Sequence, residues 1–79
     1  MDKRIQVGDY GPFPSGHEGE KQWWLCLEPE TDGKVLIQVF REKPGLGVKH
    51  GLLGNEGYWY PVRVILPTRT GNMTLALEV

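Results

Sequence analysis

The sequence predicts an all-β domain built on a small, five-stranded antiparallel sheet. Apolar and polar residues alternate with a period of two at several places along the 79 residues, as they do in half-buried strands. Eleven glycines and six prolines interrupt every window long enough to show the apolar spacing of an amphipathic helix. A chain of this length usually forms one domain, so we expect residues 1–79 to be a single unit.

The N-terminal part predicts a short strand followed by a long loop. A strand at residues 4–7 would place Ile5 and Val7 on the same face. Residues 8–20 contain four glycines and two prolines. Proline removes backbone donors and glycine raises the entropy lost on ordering, so we expect no regular strand or helix in this segment.

A β-hairpin is predicted at the centre of the chain. Its strands are residues 22–28 and 34–42, and residues 29–33 between them have the composition of a turn. A three-residue loop, with Gly33 in the left-handed conformation, would gather the larger apolar residues on one face. That face is expected to hold Trp23, Leu25, Leu27, Val35, Ile37 and Val39.

The C-terminal part predicts a second loop and two more strands. Residues 43–57 are rich in glycine and form the expected loop, and residues 58–66 form the fourth strand. Pro61 cannot donate to a sheet ladder, so this strand should lie at an edge or at a bulge. A turn at residues 68–72 and a strand at residues 73–79 complete the domain. Five short strands with two long Gly/Pro-rich loops resemble SH3-like and OB-like barrels, which are the alternative to an open sheet.

The predicted hairpin also has apolar residues on its second face. In the expected register Trp24 lies opposite Phe40, and Trp59 of the fourth strand joins them. A strand with two apolar faces normally belongs to a sheet that is covered on both sides, and no helix is predicted to supply the second cover. The long loops could fold over this face, a second copy of the chain could pack on it, or a different protein could dock there.

The composition argues against several classes of protein. The charged fraction of 24% and the hydrophobic fraction of 39% are typical of globular domains, and the net charge of −1 is unlike that of a tight nucleic-acid binder. Cys26 is the only cysteine, so no intrachain disulfide can form, as is usual in a reducing compartment. No apolar stretch approaches the length that spans a bilayer. We therefore expect a cytoplasmic protein with no membrane partner.

Catalytic and cofactor chemistry has little support in the sequence. His17 and His50 lie in predicted loops, and Cys26 lies mid-strand, where we expect a small buried hydrophobe. These three residues do not have the spacing of a metal site. Residues 45–51 lack the Gly-Lys-Ser/Thr ending of a nucleotide-binding loop. We expect no enzymatic activity, no cofactor and no metal.

The sequence thus predicts a non-enzymatic protein-binding module whose partner is another protein or a protein complex. Compact chains of this kind are common among phage and mobile-element accessory proteins, including anti-CRISPR inhibitors that occlude a macromolecular partner. The expected contact residues combine rings of the second face with cations and a histidine nearby: Trp24, Phe40, Arg41, Lys43, Lys49, His50, Trp59 and Arg63.

A single-stranded nucleic-acid binder is the alternative and ranks second. In that case aromatic rings would stack on bases and nearby cations would supply the charge: Trp24 near Arg41, then Tyr58, Trp59 and Tyr60 close to Arg63, with Lys43 and Lys49 in the loop.

Overall fold

The strands form one antiparallel sheet in the order β4-β3-β2-β1-β5. The computed structural model describes residues 4–14, 21–45 and 57–73. The all-β prediction is confirmed, and across these three segments the sheet stays open, with β4 and β5 at its two edges. The elements are β1 (Asp9–Pro12), β2 (Trp23–Thr31), β3 (Lys34–Phe40), β4 (Tyr58–Pro61), the helix α1 (Val62–Ile65), a 3₁₀ turn (Leu66–Thr68) and β5 (Gly71–Asn72).

The β2–β3 hairpin closes through a two-residue turn. Asp32 and Gly33 have φ values of 52° and 80°, and Thr31 pairs with Lys34. Positive φ at both central residues is the conformation that Asp-Gly favours between two strands. The expected three-residue loop is therefore wrong.

Two irregularities in β2 then move the pairing register in steps. The first lies between Thr31 and Glu28 and the second between Glu28 and Cys26. Pro29, which has no N–H for the ladder, lies within the first. At the second, the Cys26 Sγ donates to the Glu28 carbonyl oxygen at 3.1 Å.

The faces of β2 are consequently exchanged relative to β3. Trp24 pairs with Val39 and Cys26 with Ile37, whereas Phe40 pairs with Trp23. The expected grouping, with Trp24 opposite Phe40, is wrong by one residue. A one-residue shift transfers every side chain of a strand to the other face, so Trp24 and Phe40 lie on opposite sides of the sheet.

One side of the sheet, which we call the helix face, is covered by α1. No helix was expected from the sequence, and the strand expected at residues 58–66 ends at Pro61. Pro61 is extended (ψ 128°), and the Val62 N–H donates to the Gly33 carbonyl at 2.9 Å as the chain turns into the helix. The buried residues of this core are Ile5, Trp24, Cys26, Val35, Ile37, Val62 and Ile65.

The opposite side, which we call the distal face, holds a second apolar cluster. Leu25, Leu27 and Met73 are buried there, and Tyr10, Leu36 and Phe40 pack against them while keeping part of their surface. The expectation of two apolar faces is therefore confirmed, with a different membership for each.

The first strand lies inside the segment expected to be a loop. β1 occupies residues 9–12, and residues 4–7 form no strand. Gly8 has φ 93°, and a Cβ there would overlap the Met73 carbonyl oxygen. A Cβ at Gly11 would similarly overlap the Thr68 carbonyl oxygen. These glycines therefore allow close backbone approach rather than chain flexibility.

At the C-terminal end, β5 falls at residues 71–72, inside the segment expected to be a turn. The strand expected at residues 73–79 lies outside the described residues except for Met73, and most of the loop expected at residues 43–57 does too.

The buried Asp9 carboxylate joins β1 to this C-terminal part. It accepts hydrogen bonds from the Gln6 N–H at 2.7 Å and the Asn72 Nδ2 at 2.8 Å, and it pairs with the Arg69 Nε at 3.0 Å. A buried charge with several partners fixes the geometry of the segments that supply them.

Candidate functional site

The edge strand β4 carries two adjacent aromatic residues that the fold leaves exposed. Tyr58 and Trp59 are 43% and 46% exposed, whereas Trp24 is 0% exposed. Tyr58 pairs with Ile37 and therefore lies on the helix face, and Trp59 pairs with Leu36 on the distal face. The two rings consequently flank the same sheet edge from opposite sides.

Tyr58 belongs to a small aromatic cluster. Its ring centroid lies 6.4 Å from that of Phe13 and 6.3 Å from that of Tyr60, both in edge-on geometry. Partial burial, with a smaller contribution from Tyr60, raises the pKa of Tyr58 above its ordinary value. The phenol is therefore protonated at neutral pH and can donate a hydrogen bond.

Pro61 reduces what the backbone of β4 offers to a further strand. Hydrogen-bonded pairs alternate along an antiparallel ladder, and the Val62 N–H already donates to Gly33. The pairs Val35–Tyr60 and Ile37–Tyr58 are therefore the hydrogen-bonded ones, and the polar groups of Trp59 and Pro61 point outward. Because proline has no N–H, Trp59 supplies the one outward donor of β4. A strand that paired here would gain one hydrogen bond fewer than at an edge without proline.

A shallow cleft of about 430 Å³ adjoins the Trp59 ring. Its lining residues are Thr31, Asp32, Lys34 and Trp59, and we call it the Trp59 cleft. A neighbouring cleft shares Asp32 and Lys34 and is also lined by Arg63 of α1. Side chains of both charge signs thus surround an exposed indole at the turn end of the sheet.

The residues expected to contact a partner do not form one surface. Trp24 is fully buried, and its indole N–H donates to the Thr68 Oγ1 at 2.8 Å, so it belongs to the core rather than to the surface. Trp59 and Arg63 lie near the β2–β3 turn. Lys49 and His50 lie outside the described residues.

Three other expected residues lie at the far end of β3. Phe40 ends the strand, and Arg41 and Lys43 follow it in a cleft of about 450 Å³ that also contains Glu42 and Pro44. The Lys43 Nζ lies 5.7 Å from the centre of the Tyr10 ring in β1. The chain after β3 therefore reaches back toward β1.

The sequence-based selection missed Lys21, Trp23 and Tyr10 in this region. The Lys21 Nζ lies 5.0 Å from the centre of the Trp23 ring, and the Trp23 and Tyr10 rings are 6.4 Å apart. The two-residue spacing of Lys21 and Trp23 was a usable signal, because such residues share a face in an extended chain. Tyr10 could not be assigned, because it was expected to lie in a loop.

Cys26 is buried as expected, with no exposed surface. Burial raises the pKa of its thiol to about 12, and the negative charge of Asp9 adds to the effect. The thiol therefore stays protonated and unreactive at neutral pH.

The described parts of the chain contain no group of three or more His, Cys, Asp or Glu side chains that could hold a metal ion. No helix in them has the length and apolar character needed to cross a membrane. Comparisons of the chain with protein-family models, with curated proteins and with solved structures find no match.

Proposed function

We propose that this protein is a non-enzymatic protein-binding module whose contact surface is centred on Trp59. The observation that carries the proposal is the adjacent pair of exposed rings, Tyr58 and Trp59, on an edge strand. Tryptophan and tyrosine are enriched among the residues that dominate binding energy in protein interfaces. The core of the helix face buries Trp24 and does not include the rings of Tyr58 and Trp59.

The fold holds this surface in place. Trp59 pairs with Leu36 in the ladder, and the Val62 hydrogen bond to Gly33 anchors the end of β4 to the hairpin turn. A ring that is already positioned loses less conformational freedom when a partner binds. The Trp59 cleft therefore supports binding better than an aromatic residue on a free loop would.

The charges around Trp59 suit the rim of an interface. Asp32 and Lys34 line the cleft beside the ring and carry opposite signs, and Arg63 lines the neighbouring cleft. Protein interfaces commonly combine an apolar centre with a polar, solvent-accessible rim. The expected partner is a protein with an apolar pocket for the indole, bordered by charges of both signs.

Occlusion of that partner is the mode of action that we propose. The protein would act as a small inhibitor of the phage or mobile-element type, including the anti-CRISPR class, by covering a surface that its partner needs. A rigid module that contributes one aromatic anchor and a charged rim requires no chemistry of its own to do this.

The test compares Trp59→Ala with Val7→Ala. Val7 is a matched control because it is 42% exposed and does not line the Trp59 cleft. Host proteins that the immobilised wild-type protein retains would be purified. Their affinity for the wild type and for each variant would then be measured by calorimetry. We expect Trp59→Ala to weaken binding by about 30-fold or more, as for an interface hot spot, and Val7→Ala to leave it unchanged.

Equal affinity of the wild type and Trp59→Ala would refute this contact surface. Light scattering of the same samples tests self-association. A dimer that Trp59→Ala dissociates would identify a second copy of the chain as the occupant and would overturn the proposal of a different protein.

A further inference from the structure

Three aromatic rings lie together on the distal face, at the end of the sheet away from the β2–β3 turn. Trp23 pairs with Phe40 across β2 and β3, and Tyr10 pairs with Leu25, two residues along β2 from Trp23. The three rings are each partly accessible. They form an aromatic platform, which we define as Tyr10, Trp23 and Phe40.

Exposed cations surround this platform. The Lys21 Nζ lies 5.0 Å from the Trp23 ring centre, and the Lys43 Nζ lies 5.7 Å from the Tyr10 ring centre. Arg41 is also exposed and lines one cleft together with Phe40 and Lys43. Glu42 lies between Arg41 and Lys43, so the described residues 21 and 41–43 carry three positive charges and one negative charge.

We propose that the aromatic platform and its three cations bind a single-stranded nucleic acid. Such a strand offers flat bases and phosphates in alternation, which matches rings bordered by cations. An acidic peptide would match the cations alone and would leave the ring faces without a flat partner. Base stacking on aromatic side chains is tolerant of sequence, so little base preference is expected.

The lysines reach both the ring faces and the rim of the platform. Each has a long, flexible side chain, so its ammonium group can move from the ring to a phosphate while a base takes its place. In the unbound protein the cation–ring contacts keep Lys21 and Lys43 at the platform.

This site is separate from the Trp59 surface. Trp59 pairs with Leu36, which lies four residues along β3 from Phe40, a separation of roughly 13 Å at the rise of a β-strand. The inference does not rest on the proposed protein-binding function. The two can succeed or fail independently, and Trp59→Ala should leave nucleic-acid binding unchanged.

The experiment measures the fluorescence anisotropy of a labelled thymidylate oligonucleotide of about 12 nucleotides, within the usual site sizes. Affinity of the wild type should fall with salt, with a log–log slope of about −2 if three phosphates are neutralised. The double variant Lys21→Ala/Lys43→Ala should weaken binding at least tenfold at low salt and bring the slope to about −0.7. The control is Lys34→Ala, which changes an exposed lysine at the other end of β3 and should leave the affinity for the oligonucleotide and its salt slope unchanged.

A second variant tests the rings. Phe40→Leu keeps an apolar side chain in the distal cluster but removes a stacking surface, so it should weaken binding about tenfold while the salt slope stays the same. Circular dichroism would verify that each variant is folded.

Three results would overturn the proposal. One is the lack of any oligonucleotide binding by the wild type at low salt. Another is an equal loss of affinity in Lys34→Ala and in the double variant. The third is competition by a polyglutamate peptide as effective as that by unlabelled oligonucleotide, since an acidic peptide segment would then be the occupant.

Discussion

Trp24 and Trp59 show how differently the fold uses one residue type. Trp24 of β2 is buried in the core that α1 covers, and its indole N–H donates to the Thr68 Oγ1 at 2.8 Å. That hydroxyl in turn donates to the Ile65 carbonyl at 2.7 Å. Trp59 is 46% exposed at a sheet edge. One indole therefore stabilises the fold, and the other is available to a partner.

We expect Trp24→Ala to destabilise the protein by about 3–5 kcal/mol, because it removes a large buried side chain and leaves a cavity. Trp59→Ala should change the free energy of unfolding by no more than about 0.5 kcal/mol, as for most surface substitutions. Urea denaturation followed by circular dichroism measures both. Similar losses in the two variants would contradict this division between core and surface.

The buried Cys26 thiol makes stability depend on alkaline pH. The thiol ionises near its ordinary pKa of 9.0 in the unfolded chain, but only at about 12 in the folded protein. Ionisation therefore favours the unfolded state, so the contribution of Cys26 is complete below pH 9.0 and is lost as the pH rises toward 12. We expect the stability advantage of the wild type over Cys26→Ala to shrink above pH 9.0.

Denaturation of the wild type and Cys26→Ala at a series of pH values provides this measurement. The difference between the two proteins cancels the titration of the lysines and tyrosines that they share. A difference that stays constant across this range would show that the thiol ionises equally well in the folded state.

At the scale of elements, the packing of β1 depends on Gly11. A Cβ at this position would overlap the Thr68 carbonyl oxygen and lie 3.2 Å from the Trp24 indole nitrogen. Backbone cannot yield as the tip of a side chain can, so Gly11→Ala should separate β1 from the 3₁₀ turn. We expect a loss of about 2 kcal/mol or more in the free energy of unfolding.

Gly45→Ala is the control for this prediction. A Cβ at Gly45 meets no atom of the described residues within 4 Å, so its stability should stay near that of the wild type. Equal effects of the two substitutions in thermal denaturation would indicate that the change in backbone freedom, rather than the overlap, determines the result.

The hairpin shows what the sequence could and could not predict about elements. The two central strands follow from their alternating apolar residues, and Asp32-Gly33 is a recognisable signal for a two-residue turn. With a single continuous register, a two-residue turn would have mixed apolar and polar residues on each face of the hairpin. A three-residue loop was expected for that reason. The two steps around Glu28 remove this conflict, and they depend on Pro29 and on contacts that no local pattern encodes.

The other missed elements have equally specific causes. The helix α1 has four residues, too few to show a helical spacing of apolar side chains. β1 was not predicted, because glycine and proline usually indicate a loop. Here Gly8 and Gly11 instead allow backbone segments to approach closely.

At the scale of the whole molecule, the prediction of two apolar sheet faces was correct, but the surface built on it was not. Because the faces of β2 are exchanged relative to the expectation, the apolar residues of the hairpin are divided differently between two clusters, one on each face of the sheet. Trp59 and Phe40 kept accessible surface as expected, at opposite ends of the distal face. Their separation could not be predicted, because it depends on the pairing of β3 with β4 across a long intervening segment.

Pro61 has a consequence for how the chain behaves at high concentration. Exposed aromatic residues beside an unpaired strand usually invite chains to join edge to edge and grow into fibrils. Here Pro61 removes one of the two N–H donors that would otherwise face outward from β4, so an incoming strand could form one hydrogen bond fewer at this edge. The proline therefore weakens strand pairing beside the exposed rings of Tyr58 and Trp59.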